Sequence, residues 1–300
     1  MREHHSVRPA TTARRRPSIT MQCAVLLLLL GTVPRACVAE ETPLDAVALP
    51  PSEDVSSAST VVVTMASKDY IGLLQPWVRR IKAVGIEDFV IVAQDKETLA
   101  AAEELAPGRV RIGYNEDKGT TASGTAGKKS AYGNKAWKEA VENKARYVWH
   151  VIARNQTALY SDIDVIFLHN PLKYLESHVV SIGMPYGNDI DEPNFNSGFI
   201  YAKPTPQTQE VMRKWKSLSK EIWRYKSPPY DQRALNEAIV QTNTKFPDIV
   251  ELPLRLFQYA PDCRALPQKC KKPYVVHFLG YSTPASKRTG IDKFLSARGK

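Results

Sequence analysis

The sequence predicts an α/β protein: a doubly wound, mostly parallel mixed sheet with flanking helices, built as a single domain. Three observations carry the prediction. From Val61 onward, short runs of branched residues alternate with amphipathic stretches of helical period. The runs Val61-Val62-Val63 and Phe89 to Ala93 are apolar throughout, as strands covered on both faces are. Roughly 240 residues remain once the N-terminal region is set aside, enough for one sizeable core.

Residues 1–39 stand apart from that domain. Arg14, Arg15 and Arg16 precede an apolar run from Cys23 to Leu30, and Cys37-Val38-Ala39 offers small residues for cleavage. The run is shorter than the roughly 20 residues that span a bilayer, so a cleaved secretory signal is expected, with a short membrane anchor as the alternative. Membrane contact follows only if this segment is retained. Residues 40–59, with Pro43, Pro50, Pro51 and a Ser-rich end, read as a flexible stem, which leaves 60–300 as the folded domain.

The chain carries 41 Lys and Arg against 31 Asp and Glu. Six of those basic residues and one acidic residue lie in 1–39, so the rest carries 35 against 30, an excess of five rather than ten. A field of that size does not call for a nucleic-acid partner. Beyond the signal only Cys263 and Cys270 remain, in a loop with Pro261 and Pro267. In an oxidising lumen they are expected to form one local disulfide, since no zinc-like spacing accompanies them. Asn155-Gln156-Thr157 is a glycosylation sequon.

The first strand, Val61 to Ala66, leads to Ser67-Lys68-Asp69, read as the cap of a helix with Leu73, Leu74, Trp77, Ile81 and Val84 on its apolar face. Gly85 stops it. Phe89 to Ala93 is the second strand, Lys96 to Leu105 a helix ending before Pro107-Gly108, and Val110 to Ile112 a third strand. Ligands of such sheets gather beyond the carboxyl ends of the strands. That makes Ser67 and Asp95 candidate nucleotide contacts, although Asp95 suits equally well as a helix cap.

Asn115 to Gly133 is rich in Gly, Ser, Thr and Lys and reads as a mobile loop. Its Gly127-Lys128-Lys129-Ser130 is not a phosphate loop, because Ala122 stands where the first Gly belongs and Lys129 where Ser or Thr belongs. A helix from Asn134 to Ile152 is expected next.

It delivers the chain to Ala158-Leu-Tyr-Ser-Asp-Ile-Asp-Val-Ile-Phe-Leu-His-Asn-Pro171, a buried strand interrupted by acid. Residues two apart on an extended backbone face the same side, so Asp162 and Asp164 can converge on one cation. Paired hard oxygens suit Mg²⁺ or Mn²⁺, and burial of two carboxylates among Leu159, Val165 and Phe167 calls for such compensation. A second Asp-x-Asp, at Asp189 and Asp191, lies among Gly, Pro and Asn and reads as a solvated loop.

Ser181 to Met184 suggests another strand, and Asn196-Ser197-Gly198 breaks into the apolar strand Phe199 to Ala202, where amide and hydroxyl groups can meet sugar hydroxyls. Pro206 to Leu218 is an amphipathic helix. Pro228-Pro229-Tyr230-Asp231-Gln232 opens another, with Asp231 and Gln232 as caps or sugar contacts. Tyr274 to Phe278 is a short late strand carrying His277, a sound third ligand beside two carboxylates, and Lys287 and Arg288 follow.

Together, Leu159 to Val165 with Asn170-Pro171, Asn196 to Tyr201 with Pro204-Thr205, and Asp231-Gln232 with Asn236 resemble the nucleotide-diphospho-sugar transferases that include plant rhamnogalacturonan xylosyltransferases and extensin arabinosyltransferases. The resemblance spans Val61 to Lys300. It implies a GT-A fold and a retaining, metal-dependent transfer of a sugar from a UDP-sugar to a hydroxyl of a glycan or glycoprotein, in the secretory pathway and its Golgi lumen. It further implies that Asp162, Asp164 and His277 hold Mn²⁺ or Mg²⁺ and that Asp162 serves the diphosphate. Asn196, Ser197, Asp231 and Gln232 then line the donor sugar, the last two as the candidate catalytic pair. Lys287, Lys144 and Arg146 take the family's basic, phosphate-facing positions. A glycan- or nucleotide-binding protein without turnover, or a nucleotide-sugar hydrolase, are the rival readings.

Overall fold

A computed structural model describes residues 60–115, 120–121, 135–187, 193–226, 228–260, 272–281 and 283–299. The expected signal and stem, the Gly127 loop, Asp189 and Asp191, and the Cys263 to Cys270 pairing lie outside the described residues.

Strands β1 (Thr60–Ala66), β2 (Phe89–Ala93) and β3 (Val110–Ile112) pair in parallel, joined through helices α1 (Ile71–Ala83) and α2 (Lys96–Leu105). A two-stranded ribbon of β4 (Tyr114–Asn115) and β5 (Thr120–Thr121) comes next. Helices α3 (Lys135–Glu142) and α4 (Lys144–Ile152) then lead into β6 (Thr157–Ser161), which lies parallel to β1 on its other side. The chain continues through β7 (Val165–Phe167), α5 (Leu172–His178), β8 (Ile182–Pro185), β9 (Phe199–Ala202), α6 (Pro206–Lys220) and α7 (Tyr230–Gln241). It closes with β10 (Ile249–Leu252), β11 (Phe257–Tyr259), β12 (Val275–His277) and α8 (Pro284–Ser296).

The main sheet has seven strands in the order β10-β8-β9-β6-β1-β2-β3, and only β9 runs against its neighbours. A second sheet, β11-β12-β7, stands beside it. Successive residues of one strand feed opposite layers, as the pleat requires. Val62, Leu159 and Tyr201 pack with α1, β7 and β12 on one face, while Val63, Tyr160 and Ile200 pack with α4, α6 and α7 on the other. The mixed, helix-flanked sheet predicted from sequence is therefore what forms.

Three local expectations change. The acidic stretch is not one strand. β6 ends at Ser161 in the main sheet and β7 starts at Val165 in the second, with Asp162 to Asp164 as the turn between them. The long helix expected over 134–152 is two, broken at Asn143, a residue whose side chain competes with the backbone for hydrogen bonds. Ser67 makes no side-chain cap. The chain passes through a 3₁₀ turn at Lys68–Tyr70 before α1, and the Lys68 N–H donates to Asp95 instead, at 2.8 Å.

Candidate active site

The turn between β6 and β7 is fixed by the backbone of three strands. The Asp162 N–H donates to the Gly198 carbonyl at 2.8 Å, the Val165 N–H to the Asp162 carbonyl at 3.0 Å, and the Phe278 N–H to the Asp164 carbonyl at 3.0 Å. The two acids are thereby tied to the start of β9 and the end of β12. Antiparallel pairing of β12 with β7 sets His277 opposite Val165, next to Asp164. His277 Nε2 lies 3.2 Å from Asp164 Oδ1 and 3.9 Å from Asp162 Oδ2. One ligand atom from each of the three residues falls within 4.8 Å of the others.

Gly198 makes this approach possible. A Cβ at that position would stand 2.3 Å from His277 Cε1 and 2.8 Å from Asp162 Oδ2, closer than any side chain tolerates.

Two lysines complete the charge balance. Lys144, from α4, is 3.0 Å from Asp162 Oδ1 and 2.6 Å from Asp231 Oδ2. Lys287, from α8, pairs with Asp164 Oδ2. Burial alone would raise the Asp164 carboxyl, but Lys287 and His277 outweigh it and hold the group well below the usual carboxylate range. Burial likewise opposes the charge on Lys144, and Asp162 and Asp231 more than restore it, so its pKa ends above that of a free lysine. The Tyr160 hydroxyl donates to Asp162 Oδ1 at 2.8 Å, and its own pKa is pushed up by burial and then by Asp162.

The sugar-facing group predicted from sequence is one interlocked network. Ser197 Oγ donates to Asp231 Oδ2 at 2.8 Å, Asn196 Nδ2 to Gln232 Oε1 at 3.1 Å, and the Gly198 N–H to Asn196 Oδ1 at 2.9 Å. Asp231 and Gln232 enter from the first turn of α7, where the Trp215 indole holds the Asp231 carbonyl at 3.0 Å. Asn196, Ser197, Asp231 and Gln232 line a cavity of about 810 Å³, together with Ser67, Asp162, Asp164, His277, Lys144 and Lys287.

Two predicted contacts do not belong to it. Asp95 is the cap of α2: Oδ1 accepts from the Thr98 N–H at 2.8 Å and the Thr98 hydroxyl at 2.7 Å, while Oδ2 serves Lys68. Its neighbour Gln94 lines the cavity in its place. Arg146 is buried but does not line the cavity, because residues two apart on a helix point about 200° apart and Lys144 takes the inward direction. Tyr70, Tyr160 and Tyr281, none of them expected from the sequence, also gather at the site. Tyr160 sits inside the acidic stretch and alternates with Asp162, the one signal that marks it.

Two hard carboxylates and an imidazole form a donor set that suits Mn²⁺ or Mg²⁺. The geometry fits such an ion. Among the described residues the buried Nδ1 of His277 has no hydrogen-bond partner, so the ring's polar contacts there run through Nε2 toward both carboxylates.

The sequence pattern of the nucleotide-diphospho-sugar transferases matches residues 84–290. The chain belongs to that family. It is 29% identical over 214 residues to arabinosyltransferase RRA2 of Arabidopsis thaliana, covering 62% of this chain and 46% of that protein. It is 27% identical over 210 residues to UDP-D-xylose:L-fucose alpha-1,3-D-xylosyltransferase 1 of the same plant, covering 63% and 55%. The chain thus spans about half the length of the curated relatives it matches. Among solved structures, a glycosyltransferase involved in glycosylation of the major capsid of PBCV-1 superimposes with a TM-score of 0.50 at 11% identity. That overlap covers 78% of this family member and 98% of the viral chain, and it identifies the fold as GT-A.

Proposed function

We propose that this chain is a retaining, metal-dependent glycosyltransferase that moves a sugar from a UDP-sugar to a hydroxyl of a glycan or glycoprotein in the secretory pathway, in the Golgi lumen. The observation that carries the reading is the meeting of Asp162, Asp164 and His277 on one wall of the cavity, with Lys144 and Lys287 beside them. The activities named for the plant relatives favour a pentose, arabinose or xylose, as the sugar moved.

Asp162, Asp164 and His277 would hold the divalent ion, which when bound supplies positive charge to the diphosphate. Lys287, paired with Asp164, would turn to a phosphate oxygen when the diphosphate binds. As the bond from the sugar C1 to the β-phosphate oxygen breaks, its electron pair leaves with UDP and C1 becomes oxocarbenium-like. The acceptor oxygen then bonds to C1 from the side the diphosphate left, and its proton passes to a phosphate oxygen. Asp231 is already held by Lys144 and Ser197, so it stabilises the developing positive charge rather than attacking C1. Asn196, Ser197 and Gln232 orient the sugar hydroxyls.

UDP release measured with UDP-xylose, UDP-arabinofuranose, UDP-galactose and UDP-glucose, with and without acceptor, tests the assignment. Acceptor-dependent release supports a transferase. Equal release in water alone identifies a hydrolase, and metal-dependent UDP binding without release identifies a binding protein.

A further inference from the structure

Lys138, Trp223 and Tyr230 form a group that the donor site leaves unused. Lys138 belongs to α3, one helical turn before Val141, which lines the cavity. Its side chain is buried, 8% exposed, and its Nζ stands 3.9 Å from the centre of the Tyr230 ring and 4.9 Å from that of Trp223. Aromatic faces offset only part of the cost of burying an ammonium. Among the described residues, no carboxylate pairs with this one.

Trp223 is the opposite case. Nearly half of it, 49%, faces solvent, and among the described residues its indole N–H has no hydrogen-bond acceptor. Lys138 stands over the indole at 4.9 Å, and about half of the residue remains accessible to a partner.

The turn that carries Trp223 is nevertheless held firmly. Arg224, the next residue, bonds Glu221 at 3.0 Å and the Tyr225 hydroxyl at 3.2 Å, and it pairs with Glu237 of α7. The Tyr225 hydroxyl donates to the same Glu237 at 2.6 Å. The backbone that carries the indole is thus tied to α7 before any partner arrives, which lowers the entropy lost on binding.

The group is also continuous with the cavity. Tyr230 lies between Pro229 and Asp231, both of which line it, and packs with Val141 in a small cluster that includes Met65 of the cavity wall. A large exposed aromatic face, with an indole N–H that has no acceptor among the described residues, matches the chemistry of a sugar ring. The polarised C–H face of the ring stacks on the indole, and its hydroxyls accept from the N–H.

We propose that Trp223, backed by Lys138 and Tyr230, is an acceptor subsite that binds one sugar ring of the glycan beyond the reacting hydroxyl. The assignment rests on the glycosyl-transfer reading of the cavity. It adds that the acceptor is carbohydrate at this point and leaves the wall of α3 and α7 across Trp223.

The test uses the full chain with Trp223→Ala and Trp223→Phe. Trp223→Ala should raise the KM for glycan acceptor by roughly three- to tenfold, the size of one aromatic stacking contact. The KM for the UDP-sugar and the kcat at saturating acceptor should not change, and Trp223→Phe should lose less. An unchanged acceptor KM in Trp223→Ala, or an equal rise in donor KM, overturns the subsite.

A second measurement does not depend on turnover. Intrinsic tryptophan fluorescence is titrated with methyl α-L-fucoside and with arabino-oligosaccharides in the absence of donor. A saturable change in the natural sequence that Trp223→Phe abolishes supports the subsite even if no donor is ever turned over. No saturable change, or the same change in Trp223→Phe, overturns it while leaving sugar transfer intact.

Discussion

Lys144 and Asp231 form a buried ion pair, Nζ to Oδ2 at 2.6 Å, with only 3% and 2% of the two residues exposed. The same ammonium reaches Asp162, so one lysine joins the turn between β6 and β7 to the start of α7. Removing one partner of a buried pair leaves the other charge stranded, at a cost of about 3–5 kcal/mol.

Lys144→Met should therefore lower the free energy of unfolding by about 3 kcal/mol, read as a shift of the urea midpoint at constant slope. Adding Asp231→Asn should recover part of that loss, because the stranded carboxylate is gone. A single variant as stable as the natural sequence would show that the pair is not held as described.

Gly198→Ala should disrupt the metal site more than the fold. The added methyl meets His277 and Asp162, and His277 is only 5% exposed and has no room to retreat. Manganese titration followed by electron paramagnetic resonance should show affinity reduced by about tenfold or more, the scale on which a disturbed ligand shell acts. Undiminished affinity would place the ion elsewhere.

Much of this was legible beforehand, and for identifiable reasons. Strands β1, β2 and β3 and helix α2 are strongly patterned, and each folds within a residue of its expected bounds. The grouping of Asp162, Asp164 and His277 was also foreseen, but by the wrong route. A single extended strand was expected to aim both acids, whereas a turn between two sheets does so, and no local pattern announces that Val165 leaves the sheet of Ser161. Strands β10 and β11 went unrecognised because each has only three or four residues and borrows its burial from distant neighbours. Lys144 and Asp231 gave no sign of each other, since their contact depends on how α4 and α7 dock. Asp95 shows the opposite limit: a residue at the right end of the right strand, fully used as a cap.

Acid should weaken the anchor beneath Trp223. Burial would raise the Glu237 carboxyl, but the Tyr225 hydroxyl and the Arg224 guanidinium outweigh it, so the folded-state pKa lies below the ordinary carboxylate value. A depressed pKa contributes stability that is present above the unfolded value, about 4.3 for Glu, and lost as pH falls through the folded value. Glu237 is partly exposed, so the effect should stay under about 1 kcal/mol. Thermal unfolding of Glu237→Gln should fall less steeply between about pH 5 and pH 3 than that of the natural sequence. Identical slopes would remove Glu237 from the anchor.

On the proposed function, Asp162, Asp164 and His277 would hold the divalent ion through which UDP binds. Calorimetric titration of UDP with and without Mn²⁺, in the natural sequence and in Asp164→Asn and His277→Ala, reads that role out. UDP should bind the natural sequence only when Mn²⁺ is present, and either variant should lose that binding while keeping its unfolding transition. Equal UDP affinity with and without the ion, or Mn²⁺-dependent binding retained in both variants, would show that these three residues do not hold it.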